Sequence, residues 1–139
     1  MEREYPKRPM VGVGAVIKKG NSVLVVRRTH EPGKGYWSIP GGLVELGETV
    51  REALKREVEE EVGMQVEIDK LLDVVDNIVY DSRGKPRFHY VLVDYLVHPK
   101  QVIRQLDPSR TRWVAGNELR KLRLTRTART LLRNVGITC

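Results

Sequence analysis

Apolar and β-branched runs recur along most of the chain and predict a fold rich in strands. Two of these runs, Val11 to Lys18 and Ser22 to Arg28, are joined by Lys19-Gly20-Asn21, a sequence typical of a hairpin turn. A loop is predicted at Thr29 to Tyr36 and a turn at Asp81 to Gly84, because both are rich in residues that break regular structure. Further strands are predicted at Trp37 to Pro40, Val66 to Tyr80, Phe88 to Val97 and Thr111 to Ala115.

Two segments show helical rather than strand periodicity. The first is Thr49 to Val62, where Thr49 and Glu52 have capping-box spacing and Gly63 is placed to end the helix. The second, Leu124 to Val135, collects its apolar residues on one face. Strands on both sides of a central helix, followed by a terminal helix, predict an α/β fold with a mixed β-sheet covered on both faces.

The length of the chain and its start limit the possible classes of protein. A chain of 139 residues, without repeats or low-complexity tracts, predicts a single domain over residues 1–139. The first ten residues mix charges with two prolines, unlike a secretion signal. The longest apolar runs fall short of the roughly 20 residues that span a bilayer. We therefore expect a cytoplasmic protein that does not enter a membrane.

The net charge of +7 is distributed unevenly along the chain. Residues 45–70 carry 9 acidic and 4 basic side chains, whereas residues 100–139 carry 2 acidic and 10 basic ones. An acidic cluster that holds cations, surrounded by basic groups that attract a polyanion, would give this distribution. Charge enrichment of the kind found in heat-adapted proteins would also give it. Composition alone leaves both interpretations open.

The first predicted helix carries an unusual arrangement of glutamates. Glu57, Glu60 and Glu61 are i, i+3 and i+4 neighbours of like charge, and a helical projection places Glu57 and Glu61 within the apolar stripe. A divalent cation would remove the repulsion between them, because hard ions such as Mg²⁺ prefer carboxylate oxygens. On this helix alone, a solvated acidic face is an equally good interpretation.

The spacing around this helix favours the metal site. Gly42 is followed at fixed offsets by Glu48, by Arg56-Glu57-Val58, by Glu60-Glu61 and by Gly63-Met64. The stretch from Gly42 to Met64, GLVELGETVREALKREVEEEVGM, resembles the Nudix box, the signature of hydrolases that act on nucleoside diphosphates linked to another group. The resemblance implies a Nudix-like α/β/α sandwich and a phosphoanhydride hydrolase.

The same resemblance implies roles for individual residues. The metal ligands would be Glu57, Glu60 and Glu61, together with the backbone carbonyl of Gly41, and the metal would be Mg²⁺ or Mn²⁺. Glu57 would also serve as a base. Glu48 and Arg56 match positions that orient the glutamates through hydrogen bonds and ion pairs.

Other parts of the sequence supply weaker candidates. Many family members carry a further catalytic acid shortly before the exit Trp, but here Arg110 stands three residues before Trp113 and the segment offers only Asp107. The distal base is therefore open. Arg28, or its neighbour Arg27, is a candidate for binding phosphate. Asp94 is a candidate for pairing with a base.

The substrate is the most open question. The segment Asp76 to Tyr95 resembles the ADP-ribose pyrophosphatase branch, which implies cleavage of ADP-ribose to AMP and ribose 5-phosphate. The alternatives are a nucleoside triphosphate pyrophosphohydrolase that clears 8-oxo-dGTP and an RNA 5′-pyrophosphohydrolase, which the basic C-terminal third would favour. A non-catalytic nucleotide or RNA binder is a further alternative, which the intact glutamates oppose. We expect a small nucleotide as partner rather than nucleic acid, and the resemblance suggests a homodimer.

Overall fold

The computed structural model describes residues 3–137, which form seven strands, two α-helices and one 3₁₀-helix. The strands are β1 (Met10–Lys19), β2 (Ser22–Arg27), β3 (Trp37–Ser38), β4 (Gly41–Leu43), β5 (Met64–Tyr80), β6 (Pro86–Val102) and β7 (Thr111–Ala115). The helices are α1 (Val50–Val62) and α2 (Arg126–Asn134), and the 3₁₀-helix covers Gly116–Lys121. Within these residues no helix is both long and apolar enough to cross a bilayer.

The strands join into one mixed sheet with the order β3-β2-β1-β6-β5, while β4 pairs with β1 and β7 pairs with β2. The pairing of β1 with β6 is parallel, with Gly12 opposite Leu92 and Gly14 opposite Asp94. The other pairings are antiparallel. The predicted mixed sheet is confirmed.

Both faces of the sheet are covered by helix, as predicted. On one face, Ala15 and Ile17 of β1 pack with Leu54 of α1. On the opposite face, Val16 packs with Leu131 of α2. Because successive side chains of a strand point to opposite faces, β1 contributes to both cores. The result is an α/β/α sandwich.

The predicted hairpin between β1 and β2 is present, with Lys19 paired to Ser22 and Gly20 at a φ of 59°. The strands β5 and β6 form a second hairpin that is longer than predicted, since both extend beyond their apolar runs. Register shifts along β5 accompany its many exposed polar residues. Alternation of apolar residues is therefore a poor guide to where these two strands end.

The boundaries of α1 follow from its caps. The Thr49 hydroxyl accepts a hydrogen bond from the backbone N–H of Glu52 at 3.1 Å, and Gly63 ends the helix in the left-handed region at a φ of 61°. The helix α2 begins two residues later than predicted, because Thr125 is its N-cap. Leu124 instead forms a bridge to Trp37.

Candidate active site

A cleft of about 570 Å³ opens beside the sheet and reaches from α1 to the start of α2. Its walls include Glu57, Glu60 and Glu61 of α1 and the backbone of Gly41 and Gly42 in β4. The cleft therefore contains the glutamates that the sequence singles out. We call this part of the cleft the carboxylate end.

Arg56 organises the carboxylate end. Its Nε and Nη2 atoms donate to the two carboxylate oxygens of Glu48 at 2.6 and 2.9 Å, a bidentate ion pair. Its Nη1 atom donates to Glu57 at 2.7 Å and to Glu60 at 3.3 Å. Nη2 also donates to the Leu43 carbonyl at 3.0 Å, which ties α1 to β4. These are the contacts that an orienting role for Glu48 and Arg56 requires; the role itself stays a prediction.

The same ion pair keeps Glu48 ionised. Hydrogen bonds from Arg56, and then from the backbone N–H of Glu45, lower the pKa of the Glu48 carboxyl to about 2. The partners act in the opposite sense on Arg56, whose pKa is raised chiefly by Glu48. Near neutral pH both groups are therefore charged, and the position of the guanidinium is fixed.

Glu61 meets the backbone of β4. Its carboxylate accepts a hydrogen bond from the N–H of Gly41 at 3.0 Å. Burial raises the pKa of Glu61, and the nearby Glu57 raises it further, while the Gly41 N–H and the side chain of Arg28 lower it. Glu61 as a residue is exposed. Its carboxylate is nevertheless surrounded by many protein atoms, which reduce its solvation and so raise its pKa.

Gly42 explains how Glu57 comes so close to β4. A Cβ atom at position 42 would lie 2.2 Å from the carboxyl carbon of Glu57, which is far inside van der Waals contact. Only glycine lets the carboxylate occupy this place against the strand. Glu57 and Glu61 thus touch β4 at consecutive residues, Gly42 and Gly41.

These residues fit a hard divalent cation. Their donors are carboxylate oxygens, and the glycines of β4 leave room for the Glu57 carboxylate beside the backbone. Among residues 3–137, however, no three His, Cys, Asp or Glu side chains lie close enough together to hold a metal as they stand. One carboxylate oxygen each of Glu57 and Glu60 instead accepts a hydrogen bond from Arg56. The joint metal site, including the Gly41 carbonyl, stays a prediction.

Arginines border the carboxylate end. Arg28 lines the cleft half-buried, donates to the Pro32 carbonyl at 2.6 Å, and has its pKa lowered by burial. Arg110 also lines the cleft and lowers the pKa of Glu61. The carboxylate of Asp107 accepts from the Ser109 hydroxyl at 2.7 Å and so closes its own turn. Cations, rather than a further acid, therefore stand beside Glu61 on this side.

The sheet floor of the cleft contains polar groups without partners, and we call this part the sheet end. The Asp94 side chain is 4% exposed, and within residues 3–137 no hydrogen bond reaches it. The Tyr90 hydroxyl, on the same strand, is buried without a partner in the described part of the chain. The sequence marks Asp94 as a candidate, but gives no sign that Tyr90 lacks a partner.

Arg104 contacts the end of α1, and this contact is not predicted from the sequence. Its guanidinium donates to the carbonyl oxygens of Glu59, at 3.1 Å, and Glu60, near the C-terminus of α1. A cation at this end of a helix is favourable, because the last carbonyl groups lack partners within the helix. No local sequence pattern connects residue 104 with α1, so this contact has no signal along the chain.

Comparisons with known proteins agree with this geometry. The sequence profile of the NUDIX domain family matches residues 8–135. A MutT NUDIX hydrolase from Burkholderia pseudomallei has a similar structure, with a TM-score of 0.78 and 35% identity over 93% of this chain and 99% of that one.

Two curated relatives carry named activities. The "ADP-ribose pyrophosphatase" of Methanocaldococcus jannaschii is 43% identical over 55% of this chain and 45% of its own length. The "8-oxo-dGTP diphosphatase" of Proteus vulgaris is 37% identical over 66% of this chain and 77% of its own length. Across the first relatives the match spans about half of their length.

Proposed function

Because the chain belongs to the Nudix family, we propose that it hydrolyses the phosphoanhydride bond of nucleoside diphosphates linked to another group. The observation that carries this proposal is the contact of the Glu57 and Glu61 carboxylates with the adjacent glycines of β4. Like-charged carboxylates beside one short strand, bordered by arginines, suit a site for cations and phosphates.

The side chains divide the chemistry among them. A bound Mg²⁺ or Mn²⁺ would be held by Glu57, Glu60 and Glu61, and it would neutralise the diphosphate and acidify the attacking water. Glu57 takes the proton of that water as a general base. The water oxygen forms a bond to one phosphorus, the bridging P–O bond breaks, and the bridging oxygen leaves with the other phosphate. Arg28 and Arg110 bind phosphate oxygens and hold them in line.

We propose ADP-ribose as the preferred substrate, with AMP and ribose 5-phosphate as products. The relative from M. jannaschii, whose name states this activity, supports the choice. A second candidate is hydrolysis of oxidised nucleoside triphosphates. It is favoured by the P. vulgaris relative, which aligns over a larger share of its own length.

A substrate panel tests both parts of this proposal. The values of kcat/KM for ADP-ribose, 8-oxo-dGTP, a dinucleoside polyphosphate and 5′-triphosphate RNA are measured with Mg²⁺, with Mn²⁺ and with a chelator. We expect ADP-ribose to lead, and the chelator to abolish turnover. Preference for triphosphates with release of pyrophosphate would overturn the substrate, whereas failure to cleave any phosphoanhydride would overturn the hydrolase and favour a nucleotide binder. The homodimer stays a prediction, which light scattering tests.

A further inference from the structure

Asp94 is an acidic residue with little exposure in the floor of the cleft. Its side chain is 4% exposed, yet no described residue donates a hydrogen bond to it or forms an ion pair with it. Burial and the like charge of Asp73 raise the pKa of the Asp94 carboxyl to about 7. Asp94 lines the cleft, so a ligand bound there can supply the hydrogen-bond partner that the described residues do not.

The position of the carboxyl depends on a glycine in the neighbouring strand. Gly14 is the parallel partner of Asp94, and a Cβ atom at position 14 would lie 2.2 Å from the Asp94 Oδ1 atom and 2.7 Å from Ile39. The carboxyl group therefore lies across the backbone of β1. Both Gly14 and Asp94 line the cleft, so the group is presented to whatever occupies it.

The surroundings of Asp94 suit a flat, partly apolar ligand. Gly12 and Gly14 contribute no side chains to this face of the sheet, and Leu92 lies between Asp94 and Tyr90 on the same side of β6. The Tyr90 hydroxyl is a second buried group without a partner at the cleft. An apolar floor with two unsatisfied polar groups is the usual composition of a site that binds and orients a ring.

The cleft joins this floor to the carboxylate end. Gly14 pairs with Gly41 on its other side, and the N–H of Gly41 donates to Glu61. A nucleotide with its phosphates at the carboxylate end would therefore extend its nucleoside over β1 towards Asp94. The base would then lie beside the Asp94 carboxyl, which has no hydrogen-bond partner among the described residues.

We propose that Asp94 selects the base of the nucleotide by pairing with the neighbouring N–H donor and ring-nitrogen acceptor of a 6-aminopurine. A neutral carboxyl offers one O–H donor and one carbonyl acceptor side by side, which matches that edge. Burial and the like charge of Asp73 raise the pKa of Asp94 to about 7, so a large fraction of the carboxyl is neutral near pH 7, and a ligand that pairs with the neutral form favours it further. The proposal rests on the proposed function only for the assignment of phosphates to the carboxylate end.

Equilibrium binding tests the proposal without any turnover. Calorimetry on the full chain compares AMP with purine riboside 5′-monophosphate, which lacks only the 6-amino group. We expect the natural chain to prefer AMP by roughly tenfold or more, since the analogue leaves a buried acceptor unpaired. In Asp94→Leu this preference should disappear. Asp94→Asn, which keeps one donor and one acceptor, should bind AMP within about threefold of the natural chain.

Control variants separate recognition from folding. Asp76→Leu makes the same change at an exposed position of β5 and should leave the preference intact. If Asp94→Leu unfolds, Asp94→Ala, which also removes both the donor and the acceptor, takes its place and should likewise lose the preference for AMP over the analogue. If Asp94 variants lower the affinity for AMP and for the analogue by the same factor, the role of Asp94 is purely structural.

Further ligands exclude other partners for Asp94. Tighter binding of GMP than of AMP would overturn the choice of 6-aminopurine. A preference that follows the 2′-hydroxyl, seen with 2′-deoxy-AMP, would assign Asp94 to the sugar instead. Because AMP binding needs no hydrolysis, an inactive chain that still shows the Asp94-dependent preference would contradict the proposed function alone.

Discussion

The two ends of the cleft satisfy their polar groups in opposite ways. At the carboxylate end, one guanidinium binds Glu48, Glu57 and Glu60, so charges are paired before any ligand arrives. At the sheet end, Asp94 and the Tyr90 hydroxyl are buried and unpaired within the described residues. Pairing fixes the geometry of groups that perform chemistry, whereas missing partners mark groups that await a ligand. On the proposed function, the carboxylate end is the reacting region and the sheet end the selecting one.

Removing a charge at the carboxylate end should have the largest effect. Glu57→Gln and Glu61→Gln are each expected to lower kcat/KM by roughly 10²–10⁴-fold, because a proton acceptor or a metal ligand is lost. Glu59→Gln, on the same helix but with an exposed side chain, is the matched control and should remain active. Steady-state kinetics with an accepted substrate and Mg²⁺ measure this. Full activity in both variants would disprove the metal-site assignment.

At the sheet end, replacing Asp94 by asparagine should stabilise the folded state near neutral pH. The Asp94 pKa of about 7 lies above the ordinary value of 3.8, so the folded state holds a proton that the unfolded state has released. Stability therefore falls as pH rises from about 4 to about 7, by up to about 4 kcal/mol. Asp94→Asn should lack this fall, as followed by urea unfolding between pH 4 and pH 8.

A neighbouring variant checks the cause of that slope. Asp73 faces Asp94 across β5 and β6 and raises its pKa, so Asp73→Asn should move the fall in stability to lower pH without removing it. Identical pH profiles for the natural chain and Asp94→Asn would show that Asp94 is not the group responsible.

Arg56→Lys tests whether pairing at the carboxylate end depends on geometry or on charge alone. A lysine keeps the charge but loses the bidentate contact with Glu48 and the simultaneous contact with Glu57. We expect activity or metal affinity to fall roughly 10–100-fold, the usual effect of losing an outer contact. Arg51→Lys, on the same helix, is the control, since Arg51 stacks over Tyr95 instead. Equal activity of all three proteins would mean that charge suffices.

The smallest effect is expected at the end of α1. Gly63 and Gly20 both adopt a left-handed φ, at 61° and 59°, so alanine at either site costs about 1 kcal/mol. A Cβ at position 63 would also lie 2.3 Å from the Arg104 side chain, whereas none of the described atoms lies within 4 Å of one at position 20. Gly63→Ala should therefore lower the melting temperature more than Gly20→Ala. An equal fall in melting temperature for both variants would show that Arg104 does not stabilise the end of α1.

The same division explains what the sequence could predict. The carboxylate end is built from Gly41 to Glu61, so its spacing can be recognised along the chain, and the helix with both caps follows from it. The short strand β4 was not predicted, because glycines have low strand propensity and only pairing with β1 holds them. The contact of Asp94 with Gly14 and that of Arg104 with α1 join distant residues, which no local pattern can reveal.

The parallel pairing of β1 with β6 also has a consequence for how the chain folds. Met10 pairs with Tyr90 across most of the length of the protein, and the loop entropy of that closure must be lost before the pairing contributes stability. The capped helix α1 and the two hairpins need only nearby residues. During synthesis, the glutamate-bearing helix α1 can therefore form early. The sheet floor that contains Asp94 forms only after β6 has been synthesised and has paired with β1.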